Sequence, residues 1–285
     1  MQITVFFLTH LFNREVQRRY RKLKNQLPEN HRLVILADKK YGKNFTDSKG
    51  APILFFDSQE ISEEIYANRL KNANSRLIPG NIDQLFIWAS EKYMDSSYYW
   101  LIEFDVVLTG NWQKFLSTFV RNDTDFLATS FQRKSDCLSW TKWHSFSPPK
   151  KKAKDIPEHS MLRCFTPVMR LSARARNFLI KEYSESLWQG HMESIVPTAL
   201  FHAGFSIEDL GGNSFMTPKE RLNHWYTSTL YCETLSPGTF RYRPSMRVPG
   251  HMKNMIYHPV KTVDRFHDLF YVLVKIGVFF RFWRI

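Results

Sequence analysis

The sequence predicts a single α/β domain. A strand–helix–strand opening indicates the fold class, and the absence of a convincing linker indicates one domain. Apolar residues dominate Ile3–Leu8 and Arg32–Asp38, and the stretch Asn13–Leu27 between them has a helical pattern. Such an opening is typical of a sheet that binds ligands at the carboxyl ends of its strands. The 285 residues contain no internal repeat and no convincing linker. We therefore expect one domain, with an irregular C-terminal third.

The later segments continue the alternation of strands and helices. Further strands are predicted at Ile53–Phe56, Tyr98–Leu108, Asp125–Thr129, Phe165–Arg170 and Phe205–Leu210. Further helices are predicted at Ile61–Leu70, Asn81–Lys92, Trp112–Val120, Ser172–Glu185 and Met192–Ala203. Ser172 is expected to be an N-cap and Gly204 a helix stop. Loops are predicted at 39–52 and 145–160, of which the second is the best candidate for a mobile loop.

Composition and charge narrow the class of protein. Hydrophobic residues make up 43% of the chain, which argues against disorder, and the formal charge of +13 suggests an anionic partner without selecting one. Basic residues are only weakly interleaved with aromatic ones, so no nucleic-acid partner is expected. The three cysteines lie far apart, and reduced thiols in a cytoplasmic protein explain them most simply. Ile3–Leu8 is too short for a signal segment, so we expect no export.

Two carboxylates stand near the end of the apolar run Tyr98–Leu108. In a continuous strand Glu103 and Asp105 would share a face, about 6–7 Å apart along the chain. Burying two carboxylates costs several kcal/mol unless a cation or strong donors meet them. One reading is therefore a divalent metal site, and the other is a strand end whose acids emerge into solvent.

Two later segments also gather more polar side chains than a core requires. The first runs from Trp188 through Gly190 and His191 to Glu193, and the second precedes Lys261 and contains His258 before a proline. Asp105 and His258 have the ligand chemistry for Mn²⁺ or Mg²⁺, and Glu193 at a helix start is a candidate general base. Each has a simpler alternative. Glu193 can be a first-turn acid favoured by the helix dipole, His191 a cap, and His258 a structural histidine.

These segments, in this order, resemble nucleotide-sugar glycosyltransferases of the GT-A fold. Glu103-Phe-Asp105 is similar to the Asp-x-Asp element of that family, with Glu in place of the first Asp. Trp188–Glu193 resembles the segment that supplies the base in inverting members, and His258 resembles a C-terminal metal-binding histidine. The resemblance covers residues 1–261. It implies a Rossmann-like domain with a central mixed sheet flanked by helices.

Five short runs resemble, more narrowly, a group of bacterial and eukaryotic transferase-like proteins. They are Gly80–Asp83, Trp100–Val106, Gly190–Glu193, Glu208–Gly212 and Tyr257–Lys261. By this resemblance Asp105 and His258 are the metal ligands and Glu193 is the catalytic base. The nucleotide is expected to contact Thr9, His10, Asp38, Asp83, Glu103 and Lys261, with Asp38 at the base; from the residues alone, Asp38 can equally be a helix cap.

Residues 262–285 form a basic, aromatic-rich tail. Lys275, Arg281 and Arg284 interrupt its apolar run, so an amphipathic helix on an anionic membrane surface fits better than a spanning helix. A helix packed against protein is the alternative.

The leading hypothesis is a metal-dependent, inverting glycosyltransferase on the inner face of the cell membrane. It would use a nucleotide-diphospho-sugar, preferably a UDP-sugar, and act on a glycan or lipid-linked glycan in surface polysaccharide or lipopolysaccharide synthesis. The alternatives are a non-catalytic basic membrane-associated protein of the same fold, and a metal-dependent phosphoesterase or nuclease. The last would require more clustered carboxylates than the sequence offers.

Overall fold

A mixed β-sheet forms the centre of the protein. The computed structural model describes residues 2–39, 52–57, 61, 80–185 and 187–262. The strands in these ranges are β1 (Gln2–Thr9), β2 (His31–Asp38), β3 (Ile53–Phe56), β4 (Ser96–Glu103), β5 (Val107–Leu108), β6 (Phe126–Arg133), β7 (Leu162–Ser172), β8 (Ile207–Asp209) and β9 (Ile256–Tyr257). Seven of them build the central sheet in the order β3-β2-β1-β4-β7-β6-β8, and β5 pairs with β9 in a small separate ribbon.

The direction of the strands fixes which chain ends meet at each edge of the sheet. β3, β2, β1 and β4 are parallel neighbours, β7 is antiparallel to both β4 and β6, and β8 is parallel to β6. The chain moves outward from β1 to β3 and then returns to the other side of β1 with β4. This reversal of strand order between β1 and β4 is the position at which open α/β sheets bind ligands.

Helices cover both faces of the sheet. Those in the described ranges are α1 (Arg14–Asn25), α2 (Ile82–Glu91), α3 (Trp112–Thr118), α4 (Ala173–Glu185) and α5 (Met192–His202). Side chains from α1 and α3 pack against one face, for example against Phe7 and Trp100, and those from α2, α4 and α5 pack against the other, for example against Phe6 and Tyr99. The alternation of neighbouring residues between two cores is expected for a sheet buried on both sides. The predicted mixed sheet flanked by helices is confirmed.

The ends of several elements differ from the sequence prediction. The predicted strand Tyr98–Leu108 is two strands, because the chain turns at Glu103, where the Val106 N–H donates to the Glu103 carbonyl at 3.0 Å. β6 and β7 run past the predicted ends because they pair with each other over most of their length. Ser172 is the N-cap as predicted, since its Oγ accepts from the Ala175 N–H at 3.0 Å. Gly204 follows α5 with φ +76°.

A buried carboxylate organises the run Glu208–Gly212. Asp209 Oδ1 accepts from the N–H groups of Gly211 and Gly212, both at 2.8 Å. Its Oδ2 accepts from the Ser130 N–H, the Ser214 hydroxyl and the Tyr226 hydroxyl, at 2.9, 2.8 and 2.6 Å. Five donors therefore satisfy this acid, and its part in the run is structural.

Some predicted segments lie outside the described residues. These are nearly all of the 39–52 loop, the predicted helix Ile61–Leu70 beyond Ile61, and the tail from 263 onward. In the described ranges, no helix combines the length and apolar character needed to cross a bilayer.

Candidate active site

A cleft of about 750 Å³ opens at the edge of the sheet where β1, β2 and β4 end. Its volume lies in the range of small-molecule sites. The antiparallel β7 begins at this same edge, and the start of α5 also lines the cleft. Eight of the nine predicted site residues line it: Thr9, His10, Asp38, Glu103, Asp105, Glu193, His258 and Lys261.

The small ribbon brings His258 to the acidic segment. Val107 pairs with Tyr257, and the Val260 N–H donates to the Asp105 carbonyl at 2.8 Å. His258 therefore lies beside Asp105, although the two are far apart in sequence. The turn after β4 still brings Glu103 and Asp105 together, but through its own geometry rather than through the alternation of a continuous strand.

Three possible metal ligands converge at this point. His258 Nε2 lies 3.6 Å from Asp105 Oδ1 and 3.9 Å from Glu103 Oε2, and one ligand atom from each residue lies within 4.8 Å of the others. His258 Nδ1 is 2.8 Å from the Arg241 carbonyl, which can only accept, so this nitrogen carries the proton. Burial lowers the pKa of His258, which favours the neutral ring. The Nε2 lone pair then faces two acids.

This arrangement fits a divalent cation. Asp105 is 1% exposed, and its Oδ1 has no hydrogen-bond partner within the described residues. A histidine that donates from one nitrogen to a carbonyl and points the other toward acids is the usual form of a metal-ligating histidine. Burial and the negative charge of Asp105 raise the pKa of Glu103, so the acids repel each other in the absence of a cation. Asp105 Oδ2 accepts from Lys261 Nζ at 2.5 Å, which neutralises part of the charge.

Arg19 joins the two segments that carry these ligands. Its Nη1 donates to the carbonyls of Phe104 and Val260, at 3.1 and 2.7 Å, and its Nη2 pairs with Glu15 on the same helix. The side chain is 8% exposed. Arg19 therefore fixes the acidic turn and the C-terminal segment relative to α1 from behind the site.

Glu193 lines the same cleft from the first turn of α5. Gly190 precedes it with φ +119°, and a Cβ there would lie 2.8 Å from Phe146 Cα, so this turn requires glycine. His191 caps the helix, since its Nδ1 accepts from the Glu193 N–H at 3.3 Å. Burial raises the pKa of the Glu193 carboxyl to about 7, and the positive charge of Arg163 opposes the shift. A carboxyl with this pKa accepts a proton readily near neutral pH.

The predicted nucleotide contacts divide into two groups. Thr9, His10 and Asp38 lie at the ends of β1 and β2 and line the cleft, where His10 packs edge-on against Phe104 with ring centroids 4.8 Å apart. The structure does not bring Asp83 to the cleft. Asp83 is 2% exposed on α2, and its Oδ2 accepts from the Tyr183 hydroxyl at 2.7 Å, so it contributes to the packing of α2 on α4.

Arg163 is the most distinctive cleft residue that the sequence analysis did not select. It lies near the amino end of β7 and is 5% exposed. A signal was available, because Arg163 and Arg170 are charged residues in a strand of mainly apolar residues, and a buried charge requires a specific partner. The polar cleft residues Glu233, Tyr242 and Arg243 lie in segments without a comparable pattern, and Thr166 is an uncharged residue of the same strand as Arg163.

No family model and no curated protein matches the sequence. Solved structures give distant matches. A CMP:2-keto-3-deoxy-manno-octonic acid synthetase complexed with CTP is 10% identical and has a TM-score of 0.39, with 73% of this chain and 89% of that one covered. The galactosyltransferase LgtC, in complex with donor and acceptor sugar analogues, is 12% identical with the same TM-score, and 73% of each chain is covered.

The mannosyltransferase PcManGT from Pyrobaculum calidifontis, in complex with GDP-Man and Mn²⁺, is 7% identical with a TM-score of 0.39. The match covers 78% of this chain and 55% of that one. Two of these three proteins are glycosyltransferases, the class that the sequence resemblance predicted. With TM-scores below 0.5, the likenesses carry no weight for the reaction of this chain, which has to be argued from its own residues.

Proposed function

We propose that this protein is a metal-dependent glycosyltransferase that moves a sugar from a nucleotide-diphospho-sugar to a hydroxyl group. One observation carries the proposal: Asp105, Glu103 and His258 converge at the switch point of the sheet, and a buried glutamate with a raised pKa faces the same cleft. Metal ligands and a candidate base in one cleft are what group transfer from a diphosphate requires.

The roles of the residues follow from their positions. Asp105 and His258 would hold Mn²⁺ or Mg²⁺, with Glu103 beside them; when bound, the cation would offset the charge of the diphosphate leaving group. Lys261 is the nearest cation to the acids, and its side chain is 48% exposed, so it can turn from Asp105 to a phosphate. Thr9, His10 and Asp38 would contact the nucleoside, for which a uridine is our first candidate.

Glu193 would act as the general base of a single displacement. Its carboxylate takes the proton of the acceptor hydroxyl while the acceptor oxygen forms a bond to the anomeric carbon. The bond from that carbon to the diphosphate breaks, and the diphosphate leaves with the electron pair. Inversion follows from such a step. His191 holds the backbone of Glu193, and the Thr166 hydroxyl lies 3.5 Å from its Oε1, which keeps the carboxylate directed into the cleft.

The acceptor and the location are further parts of the proposal. We take the acceptor to be a glycan or lipid-linked glycan in surface polysaccharide or lipopolysaccharide synthesis. The formal charge of +13 and the basic, aromatic-rich tail, residues 262–285, are consistent with a peripheral position on the anionic inner face of the cell membrane. We retain the division into a transferase domain, 1–261, and a tail.

Nucleotide release from UDP-sugars and GDP-sugars, with and without Mn²⁺, tests the proposal. We expect metal-dependent release that Asp105→Ala and Glu193→Ala each reduce at least about a hundredfold. Asp136→Ala, on the exposed 3-10 turn after β6, is the matched control. Full activity in both site variants would contradict the residue assignments. A metal-dependent thermal shift with UDP but no turnover of any donor would favour a non-catalytic binding protein of this fold.

A further inference from the structure

Arg163 is a buried cation whose charge is only partly offset, by the carboxylates of Glu193 and Glu233 in the same cleft. The residue is 5% exposed and lines the cleft. Within the described residues, no carboxylate lies at ion-pair distance from its guanidinium group. Buried charges are normally paired, because the loss of hydration is costly without a counter-ion.

Neutral groups hold Arg163 in place. Its Nε donates to Gln132 Oε1 at 2.8 Å, its Nη2 donates to the same oxygen, and Gln132 in turn donates to the Leu230 carbonyl. The guanidinium carbon lies 5.1 Å from the centre of the Trp140 ring. A guanidinium group has five N–H donors, and Gln132 takes two of them. The N–H groups on Nη1 have no partner in the described part of the chain.

The position of Arg163 assigns it to the Glu193 side of the cleft. Its charge opposes the rise in the pKa of Glu193, whereas Lys261 acts on Glu103, and Lys261 and Arg243 act on His258. Trp140, which stacks on Arg163, packs edge-on against His191 at 5.8 Å between ring centroids. Arg163 thus belongs with the candidate base and not with the candidate metal ligands. Lys142, another lining residue, adds a second positive charge on this side.

We propose that Arg163 binds a carboxylate or phosphate substituent on the acceptor sugar. This inference rests on the proposed function, which has the acceptor hydroxyl at Glu193. The planar guanidinium matches a carboxylate or phosphate in a two-point hydrogen bond. Because Gln132 and Trp140 already fix the side chain, little conformational freedom is lost when the anion binds.

Matched sugars that differ only in the group at C6 test the inference. Binding of methyl β-D-glucuronide and of methyl β-D-glucoside 6-phosphate is compared with that of methyl β-D-glucoside by ligand-observed NMR, in the presence of UDP and Mn²⁺. Arg163→Gln removes the cation. Gln132→Glu keeps Arg163 but gives it an internal counter-ion. Arg133→Gln, on the neighbouring exposed position of β6, is the control, and thermal melting checks that each variant folds.

We expect the wild-type protein and Arg133→Gln to bind one of the anionic sugars at least about tenfold more tightly than the glucoside. Both Arg163→Gln and Gln132→Glu are expected to abolish the preference. Equal binding of charged and neutral sugars to the wild-type protein, or a preference that survives in both variants, would overturn the inference. If Arg163→Gln does not fold, Gln132→Glu decides in the same way.

A donor comparison separates this inference from the proposed function. Nucleotide release is measured for UDP-glucuronate and UDP-glucose without acceptor. An Arg163-dependent preference for the charged donor, with none for charged acceptors, would overturn the acceptor assignment. Charge-dependent sugar binding without any turnover would refute the transferase and leave the anion site standing. Turnover without charge preference would do the reverse.

Discussion

Replacing Glu193 with glutamine is expected to stabilise the protein at alkaline pH. The pKa of the buried carboxyl is raised from 4.5 to about 7, so between these values the folded chain keeps a proton that the unfolded chain releases. Stability therefore falls as pH rises through this window. Each pKa unit corresponds to about 1.36 kcal/mol, which gives a loss of roughly 2.5 kcal/mol between pH 5 and pH 8. Glutamine cannot ionise and avoids this loss.

Urea unfolding of the wild-type protein and Glu193→Gln, at pH 5 and pH 8 with EDTA present, measures the effect. The free energy of unfolding of the variant minus that of the wild-type protein is expected to rise by about 2.5 kcal/mol from the lower to the higher pH. Groups that do not interact with Glu193 cancel in this comparison. The charge of Glu193 helps to raise the pKa of Glu103, so its removal lowers that pKa and adds to the difference in the same direction. Glu158→Gln, which removes a carboxylate with a side chain 61% exposed, controls for the change in net charge.

The same carboxyl links stability to catalysis. If Glu193 is the base, only its ionised form is active, so kcat/KM below pH 7 follows the ionisation of this carboxyl. We expect kcat/KM to rise about tenfold per pH unit and to level off near pH 7. A stability difference that is equal at pH 5 and pH 8 would show that burial does not raise the pKa of Glu193, and would refute this reasoning.

Three further predictions follow from contacts elsewhere in the molecule. Arg19→Gln is expected to weaken Mn²⁺ binding about tenfold in calorimetry, because the Phe104 and Val260 carbonyls lose their shared donor. Arg18→Gln, at an exposed position of the same helix, is expected to leave the affinity unchanged. Equal affinities of the two variants would argue that Arg19 does not position the metal ligands. Asp209→Ala is expected to lower the free energy of unfolding in urea by about 3 kcal/mol or more, because five donors lose their acceptor. A decrease of less than about 1 kcal/mol would contradict this. Deletion of residues 264–285 is expected to abolish salt-sensitive binding to anionic vesicles, and binding that persists would exclude the tail as anchor.

The parts of the fold that the sequence predicts are those with strong local signals. β1 and β2 are apolar runs that end in polar residues, and Ser172 has the chemistry of a cap, so each is recognisable from a few neighbouring residues. Most of the candidate site follows from the same signals, because the carboxyl ends of parallel strands meet at one edge. Eight of the nine selected residues do line one cleft.

The parts that the sequence does not predict depend on long-range contacts. The two-residue strands β5 and β9 are too short to have a period, yet their pairing is what aligns His258 with Asp105. Asp83 illustrates a second limit: its presence in the run Gly80–Asp83 does not say which side of α2 faces the cleft. The helix turns it toward Tyr183 instead.

The pairing of β5 with β9 would make metal binding at the proposed site a readout of completed folding. Lys261 and Asp105 are 156 positions apart, and Arg19 reaches across 241 positions to Val260, so these contacts close only after nearly all of the described chain is in place. Contacts of such separation form late, because long loops must close first. A truncated or partly folded chain would retain Glu103 and Asp105 but lack the histidine. During refolding, the affinity for Mn²⁺ should accordingly appear in the slowest phase, together with the native tryptophan fluorescence.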